Sequence, residues 1–458
     1  MINDTIAGVS TAVGNSGISI IRLSGPLAFK ITDILFKGKD TVQEQKTHTI
    51  QYGKILSPDN GEILDEVLLS KMAAPRTYTR EDVVEINCHG GYTITGTILG
   101  LLYMQGARPA EPGEFTKRAF LNGRIDLTQA EAVMDIIQAR TERGSKAAVK
   151  QLEGSLSHRL NEIRERLIML LAQIEVNLDY PEYDAEEITM EKAEDESQNI
   201  INDLEKLISS FHFGKILREG MEVVITGRPN VGKSALMNRL VRKNRSIVTD
   251  IPGTTRDIIE EYINIKGVPV KLVDTAGVRE TEDQVEQLGV ERSLKALEGA
   301  DYVIVLVDAS QPFHEEDKKV LDQVDKENKP FILALNKLDL LDDEAIKSLK
   351  KEYPDALLVS VLEDRGIEAL EEQIFKFATE NGQNMDNQVL VTNTRHEHQL
   401  KKAKKLLESA ISAIHSGLTL DMVAMDLKSA LEELGKITGH HADEDVVNAM
   451  FSRFCLGK

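Results

Sequence analysis

The sequence predicts a multidomain chain that mixes α/β and all-α parts. It has a small α/β domain at the N-terminus, a discontinuous helical bundle, and an α/β domain with a mostly parallel sheet inserted into that bundle. Three observations predict this. The chain has 458 residues, well past the size at which a single hydrophobic core stops growing. From Val223 to about Phe377, short β-rich runs alternate with helix-like segments, the pattern of a parallel sheet with crossover helices. On both sides of that stretch, apolar residues recur every third or fourth position, the spacing of amphipathic helices.

Residues 1–118 form the N-terminal domain, with β-like runs at Ile18–Leu23, Glu66–Met72 and Val83–Ile86 and a turn at Ser57-Pro58-Asp59-Asn60-Gly61. Residues 119–215 are the first part of the bundle, where Leu156, Leu160, Ile163, Leu167, Leu170 and Ile174 line one helix face. Residues 216–379 hold the inserted domain, with strands expected at Glu222–Thr226, Ile258–Ile265, Val270–Val273, Tyr302–Val307, Phe331–Leu335 and Ala356–Val359. Two of these runs meet across Lys266-Gly267 as a hairpin, which adds one antiparallel strand. Residues 380–458 return to the bundle after a polar linker at Gly382–Gln388, with a stripe of Leu400, Ala403, Leu407, Ile411, Ile414 and Leu418 and a second helix over Met422–Ile437. Each helical block offers only one or two half-buried helices, so the two blocks together complete one bundle.

Composition excludes several classes. With 41% hydrophobic and 28% charged residues, the chain reads as a soluble globular protein, and no apolar run approaches the roughly 20 residues that span a bilayer. Met1-Ile2-Asn3-Asp4 opens no secretory signal. A cytoplasmic location and no membrane partner are therefore expected. Cys88 and Cys455 are the two cysteines, too few for a disulfide framework or a cysteine-rich zinc site. The net charge of −20 repels nucleic acid unless basic residues segregate. They are denser between Lys117 and Arg166 and at Lys401, Lys402, Lys404 and Lys405, as a local RNA-facing patch or as solvated helix faces.

Gly227-Arg228-Pro229-Asn230-Val231-Gly232-Lys233-Ser234 follows a predicted strand and opens a predicted helix, the context of a phosphate-binding P-loop. Its backbone N–H groups converge on phosphate, Lys233 places a charge on the β/γ-phosphates, and Ser234 offers a hydroxyl to Mg²⁺. Asp274-Thr275-Ala276-Gly277 ends a later strand with a carboxylate for Mg²⁺ and an N–H for a γ-phosphate. Asn336-Lys337-Leu338-Asp339 ends another, and the Asp339 carboxylate can accept from the N1–H and the exocyclic amine of guanine, a donor pair adenine lacks. In this order, each at a strand's C-terminal end, the motifs predict a P-loop, Ras-like G domain that binds and hydrolyses GTP.

Between the first two motifs, Thr249-Asp250-Ile251-Pro252-Gly253-Thr254-Thr255-Arg256-Asp257 reads as a loop of switch type, with Thr255 completing the Mg²⁺ shell. Ser360-Val361-Leu362 stands where a base-capping element is expected, without the usual Ser-Ala-Lys form. Val278 follows the Asp-Thr-Ala-Gly motif and cannot orient water, which leaves Glu280, Glu282, Asp283 and Glu286 as polar candidates. A monovalent cation held by Asn230 and the switch carbonyls is one way to neutralise the transition-state charge.

The chain as a whole resembles the MnmE (TrmE) family of tRNA-uridine-modification GTPases. The likeness is carried by Asp4-Thr5-Ile6, Ile20-Ile21-Arg22-Leu23-Ser24-Gly25, Glu85 to Gly91, Arg108 to Phe115, Arg118 to Arg124 and the ending Phe454-Cys455-Leu456-Gly457-Lys458. The resemblance implies an N-terminal folate-binding and dimerisation domain, a discontinuous helical domain and an inserted, potassium-stimulated G domain. By similarity, Asn230, Thr249, Ile251 and Thr254 hold K⁺, Ser234 and Thr255 hold Mg²⁺, and Glu286 orients the attacking water beside Lys233. The nucleotide-binding set is Asn230 to Ala235, Thr249 to Thr255 with Asp250, Ile251, Pro252, Gly253 and Thr254, Asp274 to Gly277 with Thr275 and Ala276, and Asn336, Lys337, Asp339, Ser360, Val361 and Leu362. Arg22, Glu85, Arg124 and Lys458 match positions that bind a tetrahydrofolate derivative, 5-formyl or 5,10-methylene. Arg124 stands where some members have lysine, with a different hydrogen-bond geometry.

The implied reaction pairs a homodimer with the FAD-dependent flavoprotein MnmG (GidA) in a heterotetramer. It adds an aminomethyl or carboxymethylaminomethyl group to C5 of the wobble uridine of certain tRNAs, with GTP hydrolysis driving conformational change. Cys455 reads either as a thiol acting on the uridine or as a cysteine packed beside the folate site. Cys88 and His89 shape a Gly-rich turn, and His440 and His441 beside Asp443 and Glu444 read as solvated. Two other classes share the G-domain motifs. A ribosome-assembly switch leaves the N-terminal domain and the tail unexplained, and a scaffold that only gates a partner predicts no folate binding.

Overall fold

The computed structural model describes residues 4–12, 14–179, 186–244, 260–274, 296–379, 388–440, 444–455 and 457. They divide into two units, one of residues 1–134 with 435–458 and one of residues 135–434.

The first unit is built on a seven-stranded sheet. Its strands are β1 (Ile6–Val9), β2 (Ile18–Ser24), β3 (Phe36–Gly38), β4 (Thr49–Leu56), β5 (Ile63–Met72), β6 (Val83–His89) and β7 (Arg108–Pro109), in the order β3-β4-β5-β6-β2-β1-β7. All pairs are antiparallel except β1 with β7. Alternation decides what each face carries. Ile21, Leu23, Val84, Ile86 and Cys88 pack under α1 (Ala28–Leu35) and α2 (Tyr92–Met104), against Ile31, Leu35, Ile98 and Leu102. The intervening residues Arg22, Glu85 and Asn87 point to the other face.

The turn expected at residues 57–61 joins β4 to β5, with Gly61 at φ +70° and its N–H donating to the Ser57 carbonyl at 2.9 Å. β4 itself has no counterpart among the runs read from sequence. Gly53 interrupts its apolar pattern because the Phe36 ring lies where a Cβ at that position would stand.

Helices α3 (Glu114–Leu121) and α4 (Leu127–Gln138) carry Ala119, Leu127, Ala130 and Met134 into a small core, which the chain's last helix, Glu444–Phe451, closes with Val447, Phe451 and Phe454. Arg118 is 1% exposed and is held by Asp4 at 2.6 Å, Glu114 at 3.0 Å and Glu81 at 3.2 Å, with Arg108 bridging Asp4 and Glu114. A buried guanidinium is tolerated here because three carboxylates surround it.

The second unit contains a helical part and a six-stranded sheet. Its helices include α5 (Glu142–Leu152), α6 (Ser155–Asp179), α7 (Glu186–Ser209) and α8 (Phe211–Glu219). The six leucines and isoleucines expected to line α6 are all buried. The sheet follows with β8 (Met221–Thr226), α9 (Lys233–Asn244), β9 (Glu260–Ile265), β10 (Val268–Asp274), β11 (Tyr302–Asp308), α10 (Glu315–Lys326), β12 (Phe331–Asn336), α11 (Asp343–Glu352), β13 (Leu357–Leu358) and α12 (Ile367–Thr379). The order is β13-β12-β11-β8-β10-β9, parallel throughout except for the β9–β10 hairpin at the edge. Leu236 and Leu240 of α9 and Leu370 and Ile374 of α12 cover one face. Val324 of α10 lies on the other, with Leu297 and Ala300.

After the sheet, α13 (Thr394–His415) returns to pack along α7, so helices from before and after the inserted sheet share one bundle. α14 (Leu420–Thr438) follows. The α13 stripe departs from expectation. Ala410 and Ala413 are buried, Ile411 and Ile414 are half-buried, and Leu418 lies past the helix end and is 42% exposed. Close contact with α7 favours the small residues, and the larger isoleucines flank the seam.

Two of the four lysines of the α13 cluster are ion-paired, and Lys402 and Lys405 are exposed. Lys404 pairs with Glu205 at 2.7 Å and with Glu408 at 3.5 Å, and Lys401 pairs with Glu397 at 2.7 Å. No helix among the described residues is long and apolar enough to cross a membrane.

Candidate functional site

β8 ends at Thr226 and the chain turns through Gly227–Gly232 into α9. Three residues of the turn have positive φ: Gly227 at +148°, Asn230 at +64° and Gly232 at +105°. Gly227 must be glycine because a Cβ there would overlap the Leu306 carbonyl, and at Gly232 it would stand 2.6 Å from Asn336 Nδ2. Lys233 Nζ spans the loop, donating to the Gly227 and Arg228 carbonyls at 2.8 and 2.9 Å. Val231 is buried beneath it, while Asn230, Ser234 and Ala235 are exposed. Exposed hydroxyl and amide oxygens at a helix N-terminus suit a phosphate and its hard counter-cation.

Asp274, the last residue of β10, pairs in register with Ile225 of β8, so the backbone places it beside this loop. The remaining residues of that motif, Thr275, Ala276 and Gly277, lie outside the described residues. So do Thr249, Asp250, Ile251, Pro252, Gly253, Thr254 and Thr255, Glu286 and Lys458.

The third motif closes the site from the other side. Asn336, 3% exposed at the end of β12, donates through Nδ2 to the Val231 carbonyl at 2.8 Å and accepts through Oδ1 from Val361 N–H at 3.1 Å. It therefore ties the phosphate loop to the Ser360-Val361-Leu362 segment. Lys337 adopts φ +69°, and its Nζ donates to Asp308 Oδ2 at 2.7 Å. Burial opposes ionisation of Asp308, but Lys337 and Ser310 outweigh it and hold the carboxyl below its usual range. Asp339 sits in a 3₁₀ turn, Leu338–Leu340, and its Oδ1 accepts from the buried Ser360 hydroxyl at 2.5 Å. Leu362 is 85% exposed. The turn that presents Ser360 is pinned by its bridge to Arg365 and by Gly366 at φ +76°, where a Cβ would overlap the Leu358 carbonyl.

A second polar cluster lies on the open face of the first unit's sheet. Arg22 and Glu85 are cross-strand partners joined by two contacts of 2.7 and 2.8 Å. Tyr78 stands between Arg22, 5.6 Å from its ring centre, and Arg124, 4.8 Å away, and Arg124 also donates to the Tyr78 carbonyl at 3.2 Å. The C-terminal tail comes to the same sheet. Gly113 N–H donates to the Cys455 carbonyl at 3.3 Å, and Ser10 Oγ donates to the Gly457 carbonyl at 3.0 Å. Gly457, at φ +83°, lies so close to Val9 that a Cβ would overlap its carbonyl, and its Cα is near Gly8, the partner of Arg22 on β1. Cys455 is exposed.

Cys88 is buried and donates to the Ser19 carbonyl, while Asp65 holds His89 Nδ1 at 2.6 Å. Among the described residues, no group of three or more His, Cys, Asp and Glu side chains is placed to hold a metal ion. Sequence reasoning missed Tyr78, Asp308 and Asp65. A single aromatic and two isolated carboxylates carry no spacing signal, and only the fold brings them to their partners.

The fold and this site define a P-loop GTPase. The family model described as the MnmE helical domain matches residues 127–455, and that of the GTP-binding protein TrmE N-terminus matches residues 5–124. The chain belongs to the MnmE (TrmE) family. The tRNA modification GTPase MnmE of Acetivibrio thermocellus is 50% identical over 457 residues, covering 99% of each chain. That of Lactobacillus helveticus is 48% identical over 456 residues, covering 99% of this chain and 98% of the other. Among solved structures, the G domain of the T. maritima FeoB iron transporter aligns with 34% of this chain and 98% of its own, at 29% identity and a TM-score of 0.26.

Proposed function

We propose that the chain is a K⁺-stimulated GTPase of tRNA modification, cytoplasmic and homodimeric. With the flavoprotein MnmG it would install an aminomethyl or carboxymethylaminomethyl group on C5 of a wobble uridine. The division of labour follows residues 1–118 for folate binding and dimerisation, 119–215 and 380–458 for the helical domain, and 216–379 for the G domain. The observation that supports the nucleotide half is the Asn336 strap, which joins the phosphate loop to the Asp339–Ser360 pair across the end of the sheet.

In this reading Lys233 and the loop N–H groups hold the phosphates, and Asp339 selects guanine. Ser234 and Thr255 would hold Mg²⁺, whose hard oxygen ligands they supply. Asn230, exposed at the tip of the loop, would hold K⁺ together with Thr249, Ile251 and Thr254. That ion would offset phosphate charge in place of an arginine, and Glu286 would orient water.

The folate half is supported by Arg22 and Arg124 flanking Tyr78 and by Glu85 paired with Arg22, with Lys458 following the seated Gly457 in sequence. Guanidinium and carboxylate groups around one aromatic suit a flat heterocycle with a carboxylate tail. The bound folate would supply the one-carbon unit. Cys455 is exposed near this cluster's tail and stands as a candidate thiol for the uridine.

GTP turnover in KCl against NaCl at equal ionic strength tests the reading, with Asn230→Ala beside the wild type. A rate that rises strongly in K⁺ and loses the rise in the variant is expected. Equal rates in both salts would remove the cation site and favour a ribosome-assembly switch.

A further inference from the structure

β11 is the strand between the two loops of the nucleotide site. The phosphate loop leaves the end of β8 and the Asn336–Asp339 loop leaves the end of β12, and both strands pair with β11, where Asp308 is in register with Asn336. Asp308, the last residue of β11, is 3% exposed. A carboxylate is tolerated at that depth when its oxygens find donors. Oδ1 accepts from the Ser310 N–H at 3.0 Å and from the Ser310 hydroxyl at 2.6 Å, an Asx turn that starts the chain toward α10. Oδ2 accepts from Lys337 Nζ at 2.7 Å.

The turn alone does not call for an aspartate, because an asparagine oxygen would accept the same two bonds. The second, ionised oxygen is what Lys337 requires. Lys337 stands at φ +69°, a conformation that works against a residue with a Cβ. Its side chain starts at the end of β12 and finishes at the end of β11, so the methylene stem crosses the sheet end in the direction of the phosphate loop. With the charge taken by Asp308, the stem offers the site apolar surface, and the side chain keeps 31% of its area open. A nucleotide with its base on Asp339 and its phosphates at Gly227–Ser234 spans the end of β11, over that stem.

We propose that Asp308 is a positioning residue for the nucleotide: it draws Lys337 across the end of β11 and fixes its stem as the floor under the nucleoside. The inference rests on the reading of Asp339 as the residue that selects guanine. An unanchored lysine would have to be ordered by the ligand, at a cost to affinity and not to the chemical step.

The test uses the full-length protein with Asp308→Asn, Lys337→Met or both, reading binding of a fluorescent GDP analogue beside steady-state GTP turnover and thermal unfolding. Asp308→Asn keeps the Ser310 turn and sets an amide against the ammonium. It is expected to weaken GDP binding by about five- to tenfold and to raise KM for GTP by a similar factor, with kcat at saturating GTP within about twofold of the wild type. In the Lys337→Met background, Asp308→Asn is expected to cost less than about twofold, since the bond it breaks is already gone. Lys337→Arg restores a cation opposite Asp308 without touching the buried carboxylate, and is expected to bind GDP more tightly than Lys337→Met. Equal binding by those two, wild-type affinity in Asp308→Asn, the same loss in both backgrounds, or a fall in kcat with GDP affinity unchanged would overturn the proposal. Asp339→Asn separates the two readings. If it too leaves GDP binding unaltered, the base site lies elsewhere; if it weakens GDP and Asp308→Asn does not, only the positioning role falls.

Discussion

Asn336 and Asp339 divide the work of one short loop. Asn336 spends both ends of its amide on backbone groups, and Asp339 is left with a carboxylate whose one described partner is the Ser360 hydroxyl. Asp339→Asn replaces an acceptor pair with one acceptor and one donor, which no longer matches N1–H and the exocyclic amine of guanine but does match xanthine. The variant is expected to lose at least about tenfold in GTP affinity and to gain affinity for xanthosine triphosphate, read by nucleotide competition. Unaltered GTP binding would remove Asp339 from base recognition. The three motif loops were legible in the sequence because each is local, a spacing of glycines and polar residues at a strand end. The hydrogen bonds that join them were not, since Asn336 and Val231 are separated by 105 positions.

At the scale of elements, the same residue makes a prediction about the sheet. Asn336→Ala leaves the Val231 carbonyl and the Val361 N–H without their partner in a buried setting, a loss of about 2 kcal/mol. Slower exchange protection should be lost first around the Gly227–Ser234 loop and the β13 end, read by hydrogen exchange; loss confined elsewhere would contradict the strap. The sheet strands were legible because a continuous apolar run such as Tyr302–Val307, set among alternating helix-like segments, has the pattern of a central parallel strand, and the structure buries it at every position. β1, β3 and β7, of four, three and two residues, are too short to show a period. β4 was hidden by Gly53, whose function is to lie under Phe36. The α13 stripe was misread at its end because a helix packed closely on another buries alanine in preference to isoleucine, and hydrophobicity alone ranks them the other way.

Over the whole molecule, charge is managed by internal pairing. Acidic α7 is bracketed by Arg166 of α6, which contacts Glu196 at 2.5 Å, and by Lys404 and His415 of α13, each 2.7 Å from its glutamate. In the first unit, burial opposes ionisation of Asp4 and Glu114, but hydrogen bonds from Arg108 and Arg118 prevail and hold both carboxyls below their usual range. Groups depressed in this way stabilise the fold above the unfolded-state value near pH 4, and the stabilisation is lost as pH falls through the lower folded value. Amide exchange on β1 and β7 should therefore stay protected from neutral pH to about pH 5 and lose protection below about pH 4. Glu114→Gln is expected to cost about 3 kcal/mol at neutral pH by leaving part of the Arg118 charge uncompensated, and to show a smaller acid-dependent loss. A variant with the wild-type acid profile would show that the network is not responsible.

The seating of Gly457 on Val9 has a consequence for synthesis. At roughly 5–20 residues per second, a ribosome takes on the order of half a minute or more to travel between those two positions. Once α3 and α4 have emerged, the surface of theirs that the helix Glu444–Phe451 covers has nothing to cover it until that helix follows. The first unit to emerge is thus the last to be finished, and a chain cut short near its end would release a protein whose sheet is made but whose apolar flank stands open to chaperones and proteases.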